Sequence, residues 1–177
     1  MLDDLNREAV DEVLEGMYAV FEDFPEARKT LAGFETFEGE SGLKTRGDGT
    51  VFFNREVFKR YDTALLVVEL SHSDRNEFGI VSGTLQGLGA HEAGHLIELA
   101  LIFRYYPDHA FAWDNCILAK DVLNEVHKHI KDTPVSNYGT TDRPSEKLAE
   151  AVSDYYTNKH PKEISRAIVE ELKKRRR

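Results

Sequence analysis

The sequence contains very little cysteine, no long apolar run and no excess of positive charge. Its single cysteine, Cys116, can form no internal disulfide and cannot build a cysteine-rich metal site. The longest apolar stretches, at residues 64–68 and 96–103, are far shorter than the roughly 20 residues that a membrane-spanning helix needs. The net charge of −9 argues against a nucleic-acid-binding module, which usually carries a basic face. Any metal site must therefore be built from histidine and carboxylate side chains.

The chain does contain enough apolar sequence for one globular core. With 177 residues, 41% of them hydrophobic, it is predicted to form a single domain over residues 1–177. The first residues are acidic and lack the apolar run of a signal peptide, which predicts a cytoplasmic protein. The basic run at residues 173–177 is interpreted as a solvated tail that complements the dipole of a terminal helix.

Hydrophobic spacing predicts an α+β fold that is mostly helical, with its strands in the first half of the chain. The predicted helices are residues 2–24, 84–103, 114–130, 144–158 and a last one from about residue 161. The predicted strands are residues 50–54 and 64–70, separated by one or two helical turns at 55–61. The predicted loops are residues 39–49, 71–79 and 131–144.

Residues 91–95 read HEAGH inside the predicted central helix, and this pattern predicts a metal site. Positions i and i+4 differ by about 40° around a helix and about 6 Å along it, so the His91 and His95 imidazoles can reach one ion. Glu92 lies about 100° further round, where it can hold a water molecule without being a ligand. Bound zinc lowers the pKa of water toward about 7, and a carboxylate can then accept the proton. The pattern therefore predicts Zn²⁺ as cofactor and Glu92 as general base.

Two histidines do not complete a catalytic zinc site, so a third ligand must come from elsewhere in the chain. The metzincin extension is excluded, because Glu98 and Leu101 occupy its glycine and last histidine positions. Glu146 and Glu150 lie four residues apart on a predicted helix and share one face. One of them can bind the metal, and the other can accept the free N–H of a ligating imidazole.

The other residues that could carry chemistry are predicted to have ordinary structural roles. Asp154 continues the acidic stripe of Glu146 and Glu150 by one more turn. Cys116 is interpreted as a small core residue. Five histidines lack ligand spacing and are interpreted as surface or packing residues: 72, 109, 127, 129 and 160.

Two segments after the HExxH pattern carry a family resemblance. Residues 135–141 read VSNYGTT and residues 146–151 read EKLAEA. These segments resemble the Ser-x-Tyr-Gly/Ala and Glu-aromatic-aromatic-Ala-Glu segments of lethal-factor-type zincins and of related phage minor-head and prophage metallopeptidase domains. Lys147 and Leu148 replace the aromatic pair of that group. Residues 51–54 and Phe58 are similar to the strand, Asn and aromatic residue that precede HExxH in the phage-type domains.

The resemblance implies a zincin-like fold, with a small sheet packed on the HExxH helix, and a zinc-dependent peptidase. It implies Glu146 as the third zinc ligand, Glu150 as the acceptor of an imidazole N–H, and Tyr138 as a hydroxyl that stabilises the oxyanion. By analogy, an extended peptide or protein substrate is expected to add to a strand at residues 64–70. No nucleic-acid or membrane partner is expected.

Two alternatives to a general peptidase stay open. One is a catalytically silent zincin-like module of phage or prophage origin with a structural or interaction role. The other is a protease that removes phage repressors. In either case the protein would be phage-associated while still cytoplasmic.

Overall fold

A computed structural model describes residues 2–39, 41–72, 82–130 and 143–177. These ranges form nine helices and three strands, which confirms a mostly helical α+β fold with its strands in the first half. In chain order the elements are α1 (Arg7–Asp23), α2 (Pro25–Thr30), β1 (Gly33–Phe37), β2 (Leu43–Thr45), β3 (Thr50–Asn54), α3 (Arg55–Phe58), α4 (Tyr61–His72), α5 (Leu85–Tyr105), α6 (His109–Asp114), α7 (Ile117–His127), α8 (Pro144–Thr157) and α9 (Glu163–Arg175). Within the described ranges, no helix is both long enough and apolar enough to cross a bilayer.

Side-chain caps and prolines set the ends of the helices that the sequence predicts. The Asn6 side chain accepts a hydrogen bond from the Ala9 N–H at 3.0 Å, so α1 begins five residues later than predicted. The Thr84 hydroxyl accepts from the Gly87 N–H at 3.0 Å and starts α5 where the periodicity places it. Pro144 occupies the first turn of α8, where its missing N–H costs no hydrogen bond.

The predicted strand at residues 64–70 is wrong, because this segment lies in helix α4. A short apolar run fits a buried strand and a buried helix equally well. The burial pattern has the period of a helix, because Ala64 and Val68, four residues apart, are both buried in the core. Residues 64–70 therefore cannot receive a substrate by strand addition.

Four other assignments also differ from the predictions. The predicted loop at 39–49 contains β2, and β1 falls where no strand was expected. The predicted helix at 114–130 is shorter, since α7 runs from Ile117 to His127; Asp114 belongs to α6, and Cys116, with a φ of 51°, separates the two helices. The loop predicted at 71–79 begins inside α4, and residues 73–81 and 131–142 lie outside the described residues.

The three strands form one small sheet beside α5. Strand β3 is central, parallel to β1 and antiparallel to β2. Its Phe53 side chain packs edge-on against Phe34 and Phe58 on the inner face of the sheet. Strand β2 lies at the edge of the sheet and against α5. The sheet therefore presents an edge strand to the central helix.

Helix α5 is the centre of the fold, with α1 on one side and α8 on the other. Glycines let the backbones approach closely on both sides. A methyl group added at Gly89 would lie 1.9 Å from the Val13 carbonyl oxygen of α1, and one added at Gly94 would lie 2.8 Å from the Ala149 Cα of α8. These distances are below van der Waals contact, so α5 can hold its present position only with glycine at both places.

The basic run at the end of the chain is a solvated tail only in part: Lys174 and Arg177 are exposed, whereas two other residues of the run pair with neighbouring helices. Lys173 Nζ lies 2.9 Å from Asp23 Oδ2, and Arg176 Nε lies 3.3 Å from Glu26 Oε1. Together these two ion pairs hold the C-terminal end of α9 against the end of α1 and the start of α2.

We expect Gly89→Ala to lower the free energy of unfolding by about 1–3 kcal/mol, as overpacking of a tight contact does. Alanine has the higher helix propensity by about 1 kcal/mol, so a measured loss must come from the clash with α1. Chemical denaturation would measure the loss. Gly42→Ala is the matched control, because its nearest neighbour would be a Val67 methyl at 3.7 Å. Equal stability of native protein and Gly89→Ala would contradict the packing described here.

Candidate metal centre

His91 and His95 lie one turn apart on the same face of α5. Both are buried, with exposed fractions of 7% and 8%, and their ring centroids are 5.0 Å apart. This is the arrangement that a helical i, i+4 spacing produces. The two imidazoles therefore face a common point on the α8 side of the helix.

Glu146 reaches that point from the first turn of α8. Its Oε2 atom lies 3.2 Å from His91 Nε2 and 3.6 Å from His95 Nε2. The three ligand atoms all lie within 4.8 Å of one another. Ligand atoms of a tetrahedral zinc ion, at bond lengths of about 2.0–2.1 Å, are about 3.4 Å apart. The group can therefore hold a metal ion, and two nitrogens with one carboxylate oxygen are a donor set that zinc accepts.

The three groups also perturb one another's pKa values. Burial lowers the pKa of His91, but its hydrogen bonds to Glu146 and Glu150 outweigh burial and raise the pKa well above its ordinary value. Burial favours a higher pKa for Glu146, yet the two imidazoles beside it hold the pKa of that carboxyl far below its ordinary range. Without a metal ion, protons on the imidazoles balance these carboxylates, and a bound cation would take the place of those protons.

Glu150 lies on the far side of the His91 ring. Its Oε1 atom is 2.8 Å from His91 Nδ1, and its side chain is 1% exposed. A carboxylate that accepts the Nδ1–H of a neutral ring leaves Nε2 free to bind a metal ion in place of its hydrogen bond to Glu146. The geometry thus separates the two glutamates that the sequence left interchangeable, with Glu146 beside both Nε2 atoms and Glu150 behind one ring.

Glu92 is buried and stands outside the ligand group. Its Oε2 atom accepts a hydrogen bond from the Thr45 hydroxyl at 2.7 Å, which holds the carboxylate toward strand β2. Sequence reasoning missed Thr45, because the contact depends on β2 lying against α5 and the segment was predicted as a loop. No motif near Thr45 marks it in advance.

Trp113 on α6 is a second neighbour that the sequence did not single out. Its ring centroid lies 6.1 Å from that of His95, in an edge-to-face arrangement. A methyl group at Gly47 would lie 3.1 Å from the indole. Trp113 therefore forms one wall beside His95, and as the one tryptophan of the chain it is a built-in fluorescent probe.

Several predicted residues are not part of this group. Asp154 accepts hydrogen bonds from Asn158 and from the Lys162 N–H, so it links α8 to α9. Tyr138 and residues 135–141 lie outside the described residues, so the role of Tyr138 stays a prediction. Cys116 is half-buried and packs against the core.

Comparison with protein-family models, with curated proteins and with solved structures finds no match for this chain. The candidate metal centre therefore rests on its own residues and distances.

We expect the native protein to bind one equivalent of Zn²⁺ or Co²⁺. Because Trp113 lies beside His95, Co²⁺ binding should quench the tryptophan fluorescence in proportion to occupancy. His95→Ala and Glu146→Ala should abolish stoichiometric binding, while exposed His160→Ala should bind as the native protein does. The proposed metal site would be excluded if native protein prepared without chelators contained no metal and Co²⁺ did not quench its fluorescence.

We also expect Gly94→Ala to weaken metal binding roughly ten-fold or more, because a site tolerates only about 0.5 Å of displacement. The added methyl would lie 2.8 Å from Ala149 Cα and force α8, with Glu146, away from α5. Titration with Co²⁺ on protein checked for native helicity measures the loss. Gly89→Ala is the control, since it disturbs the α1 side of the same helix; equal losses in the two variants would point to general destabilisation instead.

Proposed function

We propose that this protein is a zinc-dependent peptidase of the HExxH type. The observation that carries the proposal is the convergence of His91, His95 and Glu146, whose ligand atoms lie within 4.8 Å of one another. The Glu92 carboxylate on the same helix supports a catalytic role, because an ion held for structure alone needs no adjacent base.

His91, His95 and Glu146 would hold the ion, which when bound supplies a water of lowered pKa and polarises the carbonyl of the substrate. Glu92 accepts the proton of the attacking water and later donates it to the leaving amine. The Thr45 hydroxyl occupies one oxygen of Glu92 and leaves the other for that water. Tyr138 is proposed to donate a hydrogen bond to the oxyanion.

Strand β2 replaces residues 64–70 as the proposed docking strand for an extended peptide. It is the edge strand of the sheet on the side of α5, and in the described chain β3 is its one partner strand. Thr45 in β2 contacts Glu92, so a peptide paired with this edge would pass the catalytic base.

A catalytically silent module of phage or prophage origin is the second candidate. The near-complete burial of His91 and His95 favours it, because structural metal sites are typically closed to solvent and substrate. The two candidates share the metal and differ in what Glu92 does.

We expect Glu92→Gln to retain one equivalent of Zn²⁺ and to lose at least about 10²-fold in peptidase activity, as removal of a general base does. The substitution keeps the size of the side chain and removes its ability to accept a proton. Cleavage of a mixed peptide library, followed by mass spectrometry, measures the activity, and exposed Glu163→Gln is the control. If zinc-loaded native protein cuts no peptide in the library, the silent module is favoured; equal cleavage by Glu92→Gln would exclude Glu92 as the base.

A further inference from the structure

Glu98 is a fully buried carboxylate that the proposed chemistry does not use. It lies on α5, one turn after His95, and its exposed fraction is 0%. Helical side chains lean toward the N-terminus of their helix, so the Glu98 carboxylate extends over the turn that carries His95. A buried carboxylate is costly unless polar partners surround it, so its contacts indicate what it serves.

One oxygen of Glu98 is held by the neighbouring helices. The Ser145 hydroxyl donates to Oε1 at 3.0 Å, and Ser145 directly precedes Glu146 on α8. The backbone N–H of Ala119 on α7 also donates to the carboxylate. Burial raises the pKa of Glu98, whereas the charge of His95 and these two hydrogen bonds act in the opposite direction. The carboxylate is thus coupled to the first turn of α8 and to His95.

The second oxygen of Glu98 and one nitrogen of His95 are complementary. Among the described residues, Glu98 Oε2 has no donor and His95 Nδ1 has no hydrogen-bond partner, although both atoms are buried. A histidine that binds metal through Nε2 carries its proton on Nδ1 and needs an acceptor there. The ring of His91 has such an acceptor in Glu150, at 2.8 Å.

We propose that Glu98 is a positioning residue of the metal centre, which accepts the Nδ1–H of metal-bound His95 directly or through one bridging water. This inference rests on the proposed metal site. Each imidazole then has its own buried carboxylate, Glu150 for His91 and Glu98 for His95. Through Ser145, the same carboxylate fixes the distance between the His95 turn and Glu146.

The test compares native protein with Glu98→Gln and Glu98→Leu after loading with Co²⁺. We expect both variants to bind Co²⁺ roughly 10- to 100-fold more weakly. In proton NMR of the Co²⁺ protein, each ligating imidazole gives an exchangeable, strongly shifted N–H signal. Glu98→Gln should change the position or exchange rate of one signal, that of His95, and Glu150→Gln should change the other.

Asp154→Asn is the matched control, because Asp154 is equally buried on α8 but links that helix to α9. It should lower stability without changing either N–H signal. If Glu98→Leu does not fold, Glu98→Gln decides the question alone. The inference is overturned if Glu98→Gln binds Co²⁺ as the native protein does, or leaves both signals unchanged. If the native protein itself binds no Co²⁺, the proposed function fails first and this inference with it.

Discussion

The contact between Gly94 of α5 and Ala149 of α8 is the constraint on which the candidate metal centre depends. A methyl group at Gly94 would lie 2.8 Å from Ala149 Cα, so the two backbones are as close as side chains permit. Glu146 and Glu150 flank Ala149 on one stripe of α8. Because the helices touch at this point, the two carboxylates lie on opposite sides of the His91 ring. A wider spacing between α5 and α8 would move the Glu146 carboxylate away from both imidazoles.

Charge balance explains why a site of this kind favours a divalent cation. Four carboxylates from α5 and α8 lie near the two imidazoles, with Glu92 directed toward strand β2: Glu92, Glu98, Glu146 and Glu150. If all four are ionised and both imidazoles are neutral, as metal ligation through Nε2 requires, the group carries an excess of four negative charges. Buried charges without partners are costly, so such an excess must be neutralised by protons or by a cation. A divalent ion held by His91, His95 and Glu146 offsets two of these charges.

The sequence predicts those features of the site that depend on local spacing along a helix. The i, i+4 pairs His91/His95 and Glu146/Glu150 each follow from helical geometry, and both helices form where periodicity places them. The contact of Thr45 with Glu92 was beyond prediction, because it requires a three-residue strand to pair with β3 and then to lie against α5. The same limit explains α4, whose short apolar run has no local feature that separates a strand from a helix.

The residues of the site that the sequence predicts and the contact that it does not predict also have different roles in the molecule. Two helices carry the candidate ligand atoms, whereas Glu92, the proposed base, takes its orientation from the edge of a sheet. Metal binding therefore depends on the α5–α8 contact, and any catalysis depends in addition on the sheet. A sheet edge that holds one carboxylate oxygen, and whose outer side has no partner strand among the described residues, has two features useful to a peptidase and neither needed by a structural ion. This asymmetry is the physical reason to favour an enzyme over a silent module built on the same helices.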